Sequence, residues 1–421
     1  MHTRRARFRT QNSRAAANPV RIGSFREKFY PMTLFTQRAS LLLLLCLLTQ
    51  SVSGQKFLED ITQFFEFTTN RKKLESGEAV YENKLVLAPI AAYEPNTSLG
   101  FGVGAKYLFK PRNASPDTRT SNIPISVMYT LNNQFIFFSS YTVFFSEEKW
   151  LLKGNGIFSI FPQSYFGQGS LTTELSAREI SFDNLLIEPL LLRQVRPNWF
   201  VGGGFRYNTF RNVELYEPDG DLPEGTSLQN ELGSTSVGVE GAFTIDSRDN
   251  VLNAQTGTFL EFTHGVYGEV LGGTHEFMLS KLNFRQYYQP LKNRPFDVLA
   301  VELYTRWSWN DAPPLETSML GGNELLRGFQ EGRFRDKYAF FAQAEYRWQA
   351  FDRLGFVGFV GTGDVANNSS QLGIDRLKYS AGAGIRLKIV PSENLNIRFD
   401  YAFGFGTDTD RNFYLGIGEA F

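Results

Sequence analysis

At 421 residues the chain has room for two or three ordinary domains or for one large barrel, and its 43 basic and 43 acidic residues cancel, which removes the electrostatic footprint of a nucleic-acid binder. Aromatic residues reach 15% (Phe 40, Tyr 18, Trp 5) beside Gly 38, yet mean hydropathy is only -0.25, so bulky apolar groups are plentiful without forming long runs. That composition fits a transmembrane β-barrel, where only alternate residues meet lipid, although a soluble sandwich or propeller alternates in the same way.

In chain order, residues 39–54, ASLLLLLCLLTQSVSG, follow Arg38 with a short apolar block and then small residues, the layout of a secretory signal. Leu41 to Leu48 is too short to span hydrocarbon, and Leu44 and Leu45 stand where a lipoprotein signal ending at Cys46 would want small residues. The Arg-rich stretch before Met32 reads either as an organelle transit peptide or as sequence upstream of a true start at Met32. Residues 1–54 are thus expected to be leader, and a mature chain without Cys46 has no disulfide, thiolate metal site or cysteine nucleophile. Residues 55–83 form a short N-terminal segment in which Leu58, Ile61 and Phe65 recur at helical spacing. It reads as an amphipathic helix or a disordered lead-in, and is too short for a domain.

From Lys84 onward, strand-type segments alternate with turn chemistry at approximately 84–94, 97–109, 123–132, 134–146, 149–161, 176–195, 198–213, 233–247, 257–268, 275–289, 296–309, 338–350, 354–366, 377–390, 394–406 and 411–421. Sixteen is an even number, which lets an antiparallel barrel close with both termini on one side. Short connections at 94–96 and 390–393 against long ones at 110–122 and 213–232 suggest short periplasmic turns and long external loops. The expectation for 84–421 is therefore an all-β fold, a sixteen-stranded antiparallel transmembrane β-barrel with a long loop, 310–335, folded inward.

Parity separates the faces. Leu299, Val301, Leu303, Trp307 and Trp309 oppose Glu302, Tyr304 and Arg306. Phe340, Ala342, Ala344, Tyr346 and Trp348 oppose Gln343, Glu345 and Arg347. Tyr379, Ala381, Ala383, Ile385 and Leu387 oppose Lys378, Ser380, Arg386 and Lys388. In 394–406, Leu395, Ile397, Phe399, Tyr401, Phe403 and Phe405 oppose Asn396, Arg398, Asp400, Ala402 and Gly404. In a barrel the charged faces must line the lumen, because Lys or Arg against mid-bilayer lipid costs about 2 to 4 kcal/mol, whereas a sandwich would put them outside.

Catalytic readings are weak. Only His264 and His275 lie beyond the leader, no Ser, His and acid can be placed together, and the glycines near 202–204 and 382–384 sit in strands without a following helix. Asp246, Arg248 and Asp249 suit a turn held by carboxylate hydrogen bonds better than a cation site. Neither enzymatic activity nor a cofactor or metal is expected.

Four stretches in the last two hundred residues carry a resemblance: GGNELLRGF (321–329), TIDSRDN followed by TGTFLEF (244–250, 256–262), GAGIRLKIVPSENLNIRFDYAFG (382–404) and the ending FYLGIGEAF. They resemble the bacterial surface antigen family, the barrel of the BamA/TamA-type outer-membrane insertases and two-partner-secretion transporters, over 84–421. The resemblance implies a lumen loop comprising Gly321, Gly322, Arg327, Gly328 and Phe329, with Asp400, Asp364 and Glu345 as candidate partners. It also implies that Phe421 is a signal read by the barrel assembly machinery during biogenesis. We expect Arg327 to fold inward and pair with Asp400; the alternative is an Arg327 solvated on an external loop. The family's Phe-x-Asp-x-Gly element stands here as Phe359 to Gly363 with Gly361 in place of the acid. The residues between Gln55 and Lys84 are too few for the periplasmic polypeptide-transport-associated domains of such relatives. Expected partners are outer-membrane lipid, the assembly machinery, and a separate periplasmic or membrane protein that supplies substrate recognition. Pro89 with Gly416 and Gly418 marks the seam, which reads either as a lateral opening or as a Pro that merely ends a short strand. Two functions remain open: assisting translocation or insertion of protein or lipid at the outer membrane, or a passive channel or structural barrel.

Overall fold

In a computed structural model, sixteen long strands follow one another, each hydrogen-bonded antiparallel to the next along the barrel wall. Residues 66–69 and 83–421 are described, apart from 95–97, 112–117, 146, 175–176, 216–226, 252, 391–393 and 407–408; the expected leader and most of 55–83 lie outside them. The strands are β1 (Asn83–Glu94), β2 (Ser98–Phe109), β3 (Ser121–Thr130), β4 (Phe135–Phe145), β5 (Trp150–Ile160), β6 (Arg178–Arg196), β7 (Trp199–Leu215), β8 (Ser234–Asp246), β9 (Gly257–Tyr267), β10 (Phe277–Tyr288), β11 (Val298–Asn310), β12 (Tyr338–Gln349), β13 (Leu354–Ala366), β14 (Lys378–Val390), β15 (Leu395–Phe405) and β16 (Thr409–Ile417). The last strand returns to lie against the first, with Tyr93 and Phe413 ring centroids 6.2 Å apart. No described helix is long and apolar enough to cross a membrane, which leaves crossing by strands untouched.

The two faces divide as a barrel requires. Phe101 and Val103 are 56% and 62% exposed on the outside, as are Tyr401, Phe403 and Phe405, while Glu302, Glu345, Arg386, Arg398 and Asp400 are buried inside. A water-soluble sandwich would show the reverse. Leu395 departs from its parity partners: it is buried against Val86 at the foot of β1.

Three expectations are corrected. Strand order puts the β1–β2 and β7–β8 connections at one end and the β2–β3 and β14–β15 connections at the end where β16 finishes, so short and long connections occur at both ends. Pro89 does not end a strand: β1 continues to Glu94, and Pro89 itself pairs with Val103. Glu66–Thr69, inside the segment with helical spacing, is extended and pairs antiparallel with Asn83–Val86.

Above the wall, β6 and β7 run on to form a small apolar core with the short helix Gln229–Leu232, in which Ile180, Phe182, Phe210 and Val213 meet Leu228, Leu232 and Leu315. Leu315 belongs to the 311–337 connection, which carries its own two-stranded ladder, Ser318–Leu320 with Phe334–Asp336. The dome thereby fixes where that loop enters the barrel.

Candidate functional site: the lumen loop and its ion cluster

The loop can turn back on itself because glycines stand where the backbone is left-handed. Gly321 (φ 113°) and Gly322 (φ 94°) begin the reversal, with Gly321 N–H donating to Leu325 O (2.8 Å) and Gly322 N–H to Phe329 O (3.0 Å). At the tip Gly328 has φ 112°, and a Cβ there would lie 2.5 Å from Phe403 C and 2.6 Å from Gly404 N. The tip thus rests directly on the β15 backbone, while Gly404 in turn makes room for the Phe329 ring. Tyr414 Oη accepts from Gly328 N–H (2.9 Å) and donates to Phe329 O (3.1 Å), and Asn412 Nδ2 donates to Gly328 O (2.7 Å).

That seating puts Arg327, 1% exposed, in the middle of the β12–β15 wall. Its Nη1 donates to Asp400 Oδ2 at 2.7 Å and its Nη2 to Glu345 Oε2 at 2.6 Å. Its guanidinium carbon lies 3.5 Å from the centroid of the Phe359 ring, so the element that lacks its acid at Gly361 still contributes a cation–π platform. Neither carboxylate serves Arg327 alone. Asp400 also accepts from Arg386 Nη1 (2.5 Å) and lies 3.9 Å from Arg398; Glu345 accepts from Arg347 Nε (2.8 Å). Glu419 adds a third anion, accepting from Arg386 Nε (2.7 Å) and Asn396 Nδ2 (2.6 Å). Four guanidiniums (Arg327, Arg347, Arg386, Arg398) therefore meet three carboxylates (Glu345, Asp400, Glu419) in one enclosed cluster.

A second anchor holds the near end of the loop. Glu316 receives a bidentate pair from Arg206 (2.9 and 3.0 Å), a bond from Asn208 Nδ2 (2.7 Å) and a weaker one from Arg306 (3.4 Å). Burial alone would raise the Glu316 carboxyl, but Arg206, Arg306 and these hydrogen bonds outweigh it and hold the group below the ordinary carboxylate range.

Of the residues singled out in the sequence, Arg327, Asp400 and Glu345 come together directly. Asp364 does not join them. It faces inward, but higher up, accepting from Ser170 and lying 3.5 Å from Lys378 Nζ, so it ties the 161–177 loop to the wall. Gly169 N–H donates to Arg335 O (2.7 Å) beside it, linking that loop to the lumen loop. Phe421 also points inward: Gly418 (φ 96°) turns the chain after β16, and the ring packs with Ala254, Tyr287, Val298 and Ala300 at the barrel foot. Arg347 Nη2 donates to Phe421 O at 2.8 Å. Sequence reasoning missed Arg386, Glu419, Tyr414 and Asn412. The inward parity of Arg386 was visible, whereas nothing local marks Glu419, which follows the last ladder pair. The turn at Asp246 to Asp249 is held by its carboxylates, Asp249 Oδ1 accepting from Asn250, Gln255 and Thr256 N–H. Among the described residues no acidic or histidine group has a metal-holding arrangement.

The Omp85 superfamily domain matches residues 139–421. Among solved structures the chain is similar to BamA from Haemophilus ducreyi lacking POTRA domains 1-3, with TM-score 0.52 and 14% identity over 88% of this chain and 78% of that one. It is likewise similar to CdiB from Acinetobacter baumannii, with TM-score 0.51 and 12% identity over 84% of this chain and 65% of that one, so it spans just under two thirds of CdiB. At these identities the likeness is one of fold alone. No curated protein sequence gives a match.

Proposed function

This chain belongs to the Omp85 superfamily and is an integral β-barrel of the bacterial outer membrane, and from that premise we propose that it assists the translocation or insertion of protein or lipid there, without enzymatic chemistry. The observation that carries this reading is the contrast between a locked lumen and a weakly tied seam. Arg327, Phe329 and Arg333 of the inward loop are fully buried, and the loop is pinned at Glu316 and again at Arg327. Between β1 and β16, by contrast, the described residues approach each other over a much shorter stretch than any two successive strands do, and β16 has nine residues against the twelve of β1. A barrel stoppered along its axis and weakest along one side suits sideways passage into the membrane better than a standing pore. Substrate recognition would then come from a separate periplasmic or membrane partner.

The test pairs two measurements. In planar bilayers the purified barrel should show little steady conductance, and both depletion of the protein and a disulfide across the seam from Tyr93→Cys with Phe413→Cys should mislocalise other outer-membrane components. A steady open pore, together with a locked seam that leaves cells unaffected, would instead establish a passive channel.

A further inference from the structure

The foot of β6 carries on its outer face two cations that regular alternation would have separated. Ile187 and Leu191 are exposed on the outside of β6, while Leu190 and Leu192 are buried within. Arg193 therefore faces outward, and an unbroken strand would turn Arg196, three residues on, towards the lumen. A β-bulge prevents this. Gln194 pairs with Phe200 of β7, but Arg196 pairs with Trp199, which leaves Val195 as an extra residue and shifts the parity by one. Trp199, like Val201, is exposed on the outside, whereas Phe200 is fully buried, so Arg196 joins Arg193 on the lipid-facing side.

Each guanidinium lies by an indole. Arg193 pairs in register with Trp150 of β5, and its Cζ is 5.8 Å from a ring centroid of Trp150; Arg196 Cζ is 5.9 Å from that of Trp199. Trp199 in turn meets the Phe243 ring of β8 at 5.5 Å. Among the described residues neither arginine has an ion pair, and Glu147 in the neighbouring turn is engaged by Lys149 at 3.1 Å. Arg294, at the same end of the wall, shows the opposite arrangement: it lies 5.5 Å from a ring centroid of Trp348 but is neutralised by Asp297 at 3.1 Å. Two uncompensated charges thus stand at the foot of an apolar wall, in the band where interfacial tryptophans mark the lipid headgroups. β1 begins and β16 finishes at this end, and a barrel that enters the outer membrane from the periplasm keeps that end beside the periplasmic, phospholipid leaflet.

We propose that Arg193 and Arg196, backed by Trp150 and Trp199, form a site on the outer wall for the headgroup of an anionic phospholipid, whose acyl chains lie along Leu191, Val201 and Phe243. The charge selects the ligand. Phosphatidylethanolamine carries an ammonium group that cancels its phosphate and repels two guanidiniums, whereas phosphatidylglycerol and cardiolipin present phosphate without a cation. Their oxygens accept from the planar guanidinium forks, and the indole faces hold those forks in place. The bulge is what makes the site, since it brings the second arginine to the face of the first. β6 and β7 lie away from the meeting of β1 with β16, so a lipid held here steadies the wall and not the seam. The inference goes beyond the assembly role, because it applies equally to a passive barrel.

The test titrates the full chain in detergent with one lipid at a time (cardiolipin, phosphatidylglycerol, phosphatidylethanolamine or lipid A) and reads the first bound lipid by native mass spectrometry. Cardiolipin and phosphatidylglycerol should bind about tenfold more tightly than phosphatidylethanolamine. Arg193→Gln with Arg196→Gln should weaken the anionic phospholipids about thirtyfold, roughly fivefold for each arginine, and leave phosphatidylethanolamine unchanged. Arg294→Gln, whose charge Asp297 already neutralises, should alter none of them. The side chains changed are exposed, and the compact gel band of each variant confirms that it is folded. Equal affinity for anionic and zwitterionic phospholipid would overturn the proposal, as would a double variant that binds as the unaltered protein does. Equal weakening by Arg294→Gln would trace the effect to net charge and overturn it too. A preference for lipid A that the double variant loses would assign the two cations to the lipid of the other leaflet and end the phospholipid reading.

Discussion

Removing Arg327 should cost less than removing Asp400, although the two share one hydrogen bond. The enclosed cluster holds four guanidiniums and three carboxylates, each within 4.0 Å of at least one group of opposite charge. Arg327→Met leaves three of each, and both former partners stay paired, Asp400 with Arg386 at 2.5 Å and Glu345 with Arg347 at 2.8 Å. Asp400→Asn leaves four cations with two anions, and Arg398, whose ion pair is with Asp400 at 3.9 Å, loses it outright. Breaking a buried pair by removing one partner costs about 3 to 5 kcal/mol, because the other charge is left uncompensated. Arg327→Met should fall at the lower end, about 3 kcal/mol, and Asp400→Asn at the upper end, about 5 kcal/mol. A gap of about 2 kcal/mol corresponds to roughly thirtyfold in the unfolding equilibrium. The assay is urea unfolding of the detergent-solubilised barrel, with the temperature at which its compact gel band is lost as a second readout. The double variant should be little worse than Asp400→Asn alone, since the two residues act through one cluster. If Arg327→Met proves the costlier, or if the two losses simply add, then the charge imbalance is not what governs this site.

Three further outcomes follow from the same geometry. Gly328→Ala should free the loop tip by at least about 2 kcal/mol, since a Cβ would meet the β15 backbone at 2.5 Å and the residue has φ 112°; protease cleavage within 311–337 reads this, and an uncleaved variant would mean the tip does not rest on β15. Tyr414→Phe should cost about 1 to 3 kcal/mol by leaving Gly328 N–H buried and unpaired, measured by the same urea unfolding. The Glu316 carboxyl is held below its ordinary value, so the stabilisation it supplies is complete above the unfolded value of about 4.3 and disappears as pH falls through the lower folded value. Cleavage near 311–317 should therefore stay unchanged from neutral pH to about 5 and rise only in stronger acid, and Glu316→Gln should abolish that acid step.

The period of two was enough to find all sixteen strands and, in the four segments where parity is clearest, to separate the two faces with Leu395 as the exception, because side-chain direction in a strand is a local property that every residue reports. It gave the inward face of Arg386, Arg398 and Asp400, while the loop at 321–329 was legible only through the family resemblance. Which inward charges meet is a different matter. Arg327 and Asp400 lie 73 positions apart, and Glu419 lies beyond the last ladder pair, so their meeting depends on how far each strand is staggered against its neighbour. Parity is blind to that stagger. Only the assembled barrel put Asp364 beside Ser170 and Lys378 instead of Arg327, turned Phe421 into the foot of the lumen, and laid Glu66–Thr69 against Asn83–Val86 of the first strand.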